Sequence, residues 1–142
     1  MTVGGKLVGE VDGAGNSSGQ ALAVLVGVTH DDGPQQSVVL ARKLSGLRVL
    51  DGERSATDVG APVLVVSQFT LYADTRKGRR PSWGAAAPAS VAEPLVERLV
   101  EALQADGLTV ATGRFGADMQ LALLGDGPVT ILLDTADGVP GA

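Results

Sequence analysis

Val63-Leu64-Val65-Val66-Ser67-Gln68-Phe69-Thr70-Leu71 decides how the chain is read, because four apolar and largely β-branched residues run without a break into a cluster of small polar groups. An apolar run that does not alternate has no solvent face, so it predicts a central strand over residues 63–71. A comparable ending recurs at Asp126-Gly127-Pro128-Val129-Thr130, where a Gly-Pro pair stands between strand-like segments. Both put small groups and main chain, rather than strong acids or bases, at the end of an apolar strand. Together they point to a site made mainly of backbone.

Working outward, residues 6–11 alternate apolar and polar side chains between Gly4-Gly5 and Asp12-Gly13, the pattern of an edge hairpin strand. Residues 13–19, rich in Gly, Ser and Asn, predict a flexible turn before a buried strand over residues 21–28. Pro34 stands where a first helical residue belongs and Gly46 where a helix stops, which predicts a helix over residues 34–46. A short strand is expected over residues 47–50 and a polar loop over 51–61. After residue 71 periodicity vanishes until Ser90-Val91-Ala92-Glu93, which has capping-box spacing. Val91, Leu95, Leu99 and Leu103 then form a stripe at every fourth residue, so a helix reaching about residue 105 lays one face on a sheet. Closing strands are expected over 108–112, 119–124 and 129–133, with a loose tail over 137–142. Strands and two helices without strict βαβ alternation favour an α+β domain. A chain of 142 residues with 44% hydrophobic content fits one such domain, burying about two-thirds of its unfolded surface.

The chemistry available is narrow. There is no Cys, a single His (His30), and four aromatic residues, Phe69, Tyr72, Trp83 and Phe115. Thiol chemistry and Cys/His zinc sites are excluded, and no metal or other cofactor is expected. A Ser-His-Asp triad would have to use His30, which the sequence places in a solvated loop. Ser67 or Thr70 as a nucleophile would need a base, and no His or Lys lies nearby in sequence. The apolar runs are far too short to span a bilayer and no signal peptide is evident, which predicts a cytoplasmic protein without membrane association.

The formal net charge of −5 argues against indiscriminate nucleic-acid binding. Distribution matters more than the total: Arg76, Lys77, Arg79 and Arg80 place four of the eleven cationic residues within five positions, with only Asp74 nearby to offset them. That is one basic patch on an acidic protein.

The residues 67–83, Ser-Gln-Phe-Thr-Leu-Tyr-Ala-Asp-Thr-Arg-Lys-Gly-Arg-Arg-Pro-Ser-Trp, then Thr112-Gly113-Arg114-Phe115-Gly116-Ala117-Asp118-Met119-Gln120, then Asp126-Gly127-Pro128-Val129-Thr130, resemble the signature blocks of the D-aminoacyl-tRNA deacylases. The similarity runs in the same order from about residue 3 to residue 133. It implies a homodimeric α+β fold with a mixed or antiparallel, barrel-like sheet and two main helices. It also implies hydrolysis of the ester joining a D-amino acid, or glycine, to the 3′-terminal adenosine of tRNA. By that resemblance Gly127 and Pro128 form a cis pair inserted into the neighbouring subunit, where they exclude L-amino acids. Ser67, Gln68, Phe69 and Thr70 line the receiving catalytic pocket, Met119 and Thr130 support it, and Arg76, Lys77, Arg79 and Arg80 contact tRNA.

Three departures from the family pattern accompany the match. The chain, taken as one domain over residues 1–142, begins inside what is usually the second strand, so a sheet edge is expected to be open. Gly125 replaces a usual Asn, and residues 51–58 lack a Met-Asn pair often found there. These departures keep two alternatives in view: an impaired dimer that binds tRNA ends without turnover, and an editing domain for another mischarged amino acid.

Overall fold

The computed structural model describes residues 1–137. At its centre, β3 (Leu22–Val26), β4 (Val63–Ser67) and β5 (Val110–Thr112) form a parallel sheet in the order β3-β4-β5. The register pairs Leu22 with Val63 and Val26 with Ser67, and on the other side Val63 with Val110 and Val65 with Thr112. Parallel neighbours require crossovers. Here α1 (Pro34–Gly46) and the short α2 (Ala56–Val59) link β3 to β4, and α3 (Ala89–Ala105) links β4 to β5. Crossovers of one hand between sequential neighbours put their helices on one face of the sheet, and α1 and α3 pack against each other there.

The central strand is apolar throughout because both of its faces are covered. Val63 and Val65 point under the helices into a core with Val26, Ala41, Leu99, Leu103 and Leu108. Leu64 and Val66 point the other way, against Met1, with Val8, Val11, Met119 and Leu121 around them. This second cover is built from coil and from a hairpin of β1 (Thr2–Val3) and β2 (Lys6–Leu7), turned by Gly4 and Gly5 at φ 54° and 76°. Two glycines at positive φ are what a two-residue hairpin turn demands. Thr2 and Gln120 exchange backbone hydrogen bonds of 2.9 and 3.0 Å, tying residues 119–121 to the hairpin.

The domain is α+β as expected, with helices on one face of the sheet and coil with a hairpin on the other. Among the described residues antiparallel pairing is confined to that hairpin and isolated bridges, and the sheet does not close into a barrel. Several boundaries differ from the sequence reading. Helix α1 occupies Pro34–Gly46 as predicted, its Gly33 N–H donating to Gln36 Oε1 at 2.9 Å. Helix α3 begins at Ala89 after an extended Pro88, so Ser90 falls inside the first turn and no side chain caps it. The loop 51–61 contains α2, whose real capping box is Ser55 with Asp58. Residues 47–50 form no strand beyond one bridge from Leu50 to Arg54, and β2 stops at Leu7. Strand β3 covers less than 21–28 and lies at the sheet's edge. Strand β4 ends at Ser67, and Phe69–Tyr72 form a 3-10 turn. Residues 119–124 and 129–133 are not strands: β-branched composition supplies propensity, but a strand exists only where a ladder partner lies alongside. Thr135–Asp137 form a 3-10 turn, and the rest of the expected tail, residues 138–142, lies outside the described residues.

Candidate functional site

The carboxyl end of a central parallel strand is where an α/β sheet presents main chain and side chains to a ligand. Here β4 ends at Ser67, opposite Val26, and the Gln68 N–H donates to the Val26 carbonyl at 2.7 Å, the last bond tying this segment to β3. The chain then coils: Leu71 N–H donates to Gln68 O at 3.2 Å and Ala73 N–H to Thr70 O at 3.1 Å. Ser67, Gln68, Phe69 and Thr70 are thereby gathered at the carboxyl end of the central strand. The Gln68 amide donates to the Thr70 hydroxyl, the one side-chain partner of that hydroxyl among the described residues. Ser67 is half-buried and lines a cleft of about 490 Å³ with Glu93, Glu97, Thr112, Gly113 and Arg114.

Met119 lies against two of the residues that line this cleft, Gly113 and Arg114. Its Sδ accepts the Arg114 N–H at 3.3 Å, and a Cβ on Gly113 would lie 2.6 Å from that sulfur, so the thioether needs a glycine beneath it.

The peptide between Gly127 and Pro128 is cis. Gly127 has φ +113°, and a Cβ there would come within 2.8 Å of Val129 Cγ2 and 3.0 Å of the Val129 nitrogen. Only glycine holds that backbone without displacement. The turn's stem is fastened by Gln20, whose amide donates to Asp126 Oδ2 at 3.0 Å and whose carbonyl accepts the Asp51 N–H at 2.8 Å. Thr130 is exposed, as are Gly127 and Pro128. No hydrogen bond among the described residues joins this turn to residues 67–70 within one chain.

The basic segment is an ordered loop closed by two backbone bonds between Asp74 and Ser82, at 2.8 and 3.0 Å. Its four cations are not equivalent. Arg76 makes a bidentate pair with Asp74, Nε to Oδ1 at 2.9 Å and a terminal nitrogen to Oδ2 at 2.7 Å. That pair holds the Asp74 carboxyl below the usual carboxylate range and raises the Arg76 guanidinium further. Lys77, Arg79 and Arg80 are exposed and take part in neither of the two ion pairs among the described residues. The segment behind the loop is tethered to the turn after β3: Thr29 Oγ1 donates to Ala85 O at 2.8 Å, and Ala87 N–H to Val28 O at 2.8 Å. His30 contributes to the same tether through Nε2 and the Gly84 carbonyl at 2.9 Å, rather than activating a hydroxyl.

Two residues with no assigned role in the sequence reading emerge here. Gln20 secures the Gly127–Pro128 stem across 106 positions, a partnership no local pattern signals. Trp83 meets the Phe69 ring edge to face, with centroids 5.3 Å apart. Its signal in the sequence is an aromatic residue three positions after the last of the clustered cations. Among the described residues no group of three or more His, Cys, Asp or Glu side chains is placed to hold a metal ion.

Residues 1–134 match the family described as D-Tyr-tRNA(Tyr) deacylase. The D-aminoacyl-tRNA deacylase of Kineococcus radiotolerans is 64% identical over 94% of this chain and 91% of that protein. That of Mycolicibacterium smegmatis is 60% identical, again over 94% and 91%. Among solved structures, the c-Myc DNA unwinding element binding protein superposes with a TM-score of 0.80 at 33% identity, covering 94% of this chain and 89% of its own.

Proposed function

The chain belongs to the D-Tyr-tRNA(Tyr) deacylase family, and on that premise we propose that it hydrolyses the ester between tRNA and a D-amino acid or glycine, working in the cytoplasm as a homodimer. In this reading the Gly127–Pro128 turn of one protomer enters the site formed by Ser67, Gln68, Phe69 and Thr70 of its partner. The observation that carries the arrangement is the exposure of the turn and its apolar flanks. Leu124 is 96% exposed and Leu132 83%, with Leu123, Val129 and Ile131 also outside the core. In this reading these exposed apolar side chains flanking the turn are covered by the partner protomer.

Selection then follows from main chain. An L side chain would be directed into the fixed backbone of the turn, whereas a D side chain points away and glycine has none to clash. Discrimination on the order of 10⁴ needs about 5.5 kcal/mol, within reach of a rigid clash combined with unpaired polar groups. A wall of backbone tolerates many D side chains, and its cost is that glycine cannot be refused.

Hydrolysis demands less. An aminoacyl ester is already reactive, so holding it, orienting water and offering the Phe69 and Thr70 N–H groups to the developing oxyanion supply the main terms. In this reading the 2′-hydroxyl of the terminal ribose assists proton transfer. Lys77, Arg79 and Arg80 contact phosphates near the acceptor end without reading sequence.

Deacylation of D-Tyr-tRNA, Gly-tRNA and L-Tyr-tRNA by the purified protein tests the reading. The first two are expected to lose their amino acid while the third stays charged. Inertness toward the D substrate, or equal hydrolysis of the L substrate, overturns it.

A further inference from the structure

We infer that Gln20 is a positioning residue for stereochemical selection: its side-chain amide holds the stem of the Gly127–Pro128 turn and so fixes where the main-chain wall stands. This rests on the proposed role of that turn in selection and adds to it a residue from the other end of the chain. Gln20 Nε2 donates to Asp126 Oδ2 at 3.0 Å. Among the described residues no other hydrogen bond reaches residues 121–133. Asp126 also stands between two glycines, Gly125 and Gly127. A Cβ at Gly125 would meet only Pro128 Cβ at 3.8 Å and Leu123 Cδ1 at 3.9 Å, which is ordinary contact. Packing therefore does not require a glycine there, and its effect is to loosen the backbone beside the turn. A main chain loose on that side keeps its place only if it is tethered, and Gln20 is the tether.

The tether is itself held. Gln20 lies two residues before Leu22, which opens β3 and donates its N–H to the Pro62 carbonyl at 3.0 Å. The Gln20 carbonyl accepts from the Asn16 amide at 2.9 Å, and the Gln20 N–H donates to Ser18 Oγ at 3.2 Å. Along the side chain, Oε1 accepts the Asp51 N–H at 2.8 Å. That bond fixes the amide plane and aims Nε2 at Asp126, with Asp51 Oδ1 as a longer second acceptor at 3.4 Å. Arg54 steadies Asp51 in turn, its Nε donating to the Asp51 carbonyl at 2.8 Å and a terminal nitrogen to Ser17 Oγ at 2.8 Å. The position asks for an amide, which accepts from main chain with one end and donates to a carboxylate with the other. A glutamate there has no donor and adds a negative charge beside Asp51 and Asp126, whereas a lysine has no acceptor for the Asp51 N–H.

Two measurements on the same proteins test this: kcat/KM for D-Tyr-tRNA and L-Tyr-tRNA, and amide hydrogen exchange over residues 124–130. In Gln20→Ala the D-over-L ratio is expected to fall about fivefold, the net worth of one hydrogen bond. The change should come chiefly as a gain on the L substrate, because a displaced wall relieves the clash that only an L side chain meets. Exchange over residues 124–130 should quicken by a similar factor. Gln20→Glu should lower the ratio at least as far. Adding Asp126→Asn to Gln20→Glu turns donor and acceptor round, and should recover most of the ratio, which a loss of packing alone would not allow. An unchanged ratio, unchanged exchange in Gln20→Ala, or a paired variant no better than Gln20→Glu overturns the inference. If the wild-type protein leaves D-Tyr-tRNA charged, the proposed activity fails, and quickened exchange in Gln20→Ala still supports the tether while unchanged exchange removes it. If the wild-type protein is selective and both single variants keep its ratio, the activity stands and the role of Gln20 fails.

Discussion

At the scale of single residues, the hydroxyl of Thr70 accepts a hydrogen bond from the Gln68 amide, which leaves its proton free to be donated outward. A hydroxyl used this way positions a carbonyl or a water, and no base among the described residues accepts its proton. Thr70→Ala is therefore expected to cost about tenfold or less in deacylation, the worth of one neutral hydrogen bond. Complete loss in a folded variant that still binds tRNA would make Thr70 the nucleophile. Gly127 carries the opposite expectation, because an added Cβ meets Val129 at 2.8 Å and the residue holds φ +113°. Gly127→Ala should displace the turn and narrow the preference for D-Tyr-tRNA over L-Tyr-tRNA by roughly tenfold for each 1.4 kcal/mol of selectivity lost. An unchanged ratio in a steady-state assay would remove the turn from selection. Tyr72, the single tyrosine, is pushed above its ordinary value of 10.0 by burial first and then by Asp32 and Asp134. Its neutral form suits the fold, so its stabilisation is full below pH 10.0 and is lost as pH rises through the raised folded value. An absorbance titration should show phenolate forming above that pH in the native protein and closer to it after Asp32→Asn.

At the scale of elements, the basic loop divides into a clamp and a contact surface. Arg76 is engaged by Asp74 from both guanidinium edges, while Lys77, Arg79 and Arg80 face solvent. Replacing Lys77 and Arg79 by Ala should reduce the slope of log affinity for tRNA against log salt by about 1.5, two phosphate contacts at single-strand or duplex weight. Arg76→Ala should change the slope less, since its charge is already matched. A filter-binding series across salt concentrations distinguishes these, and an unaltered slope in the double variant would take the loop out of the interface. The elements also show which signals are legible locally. Helix α1 matches its predicted bounds: Pro34 opens it with a preset φ, and it ends after Gly46 at an extended Leu47. The spacing of Ser90 and Glu93 misled because Pro88 already ended the extended chain, letting the helix start at Ala89. Residues 119–124 and 129–133 carry strand-like composition yet form no strand, since the pairing of Gln120 with Thr2 of β1 is a single bridge that does not extend into a ladder.

At the scale of the whole molecule, the sheet places one end of β4 beside a cleft, and the Gly127–Pro128 turn is exposed between exposed apolar residues. The proposed dimer supplies each site with its partner's turn. Leu124→Asp should leave the protomer's stability within about 0.5 kcal/mol, as surface changes do. If residues near Leu124 form the interface, the same change buries a carboxylate there. Light scattering should then report a monomer, and deacylation should fall with the dimer. An active monomer would contradict the shared site. What the amino-acid order determined by itself was the inventory and the local geometry: a strand buried on both faces, a helix punctuated by Pro and Gly, a thiol-free and nearly histidine-free site, and four clustered cations. Those follow from side-chain chemistry and from backbone preferences that act over a few residues. Tertiary structure alone decided that the sheet is parallel, that Gln20 reaches Asp126, that Arg76 is a clamp, and that Trp83 rests against Phe69. Each of those depends on a contact between segments that only the closing of the chain brings together.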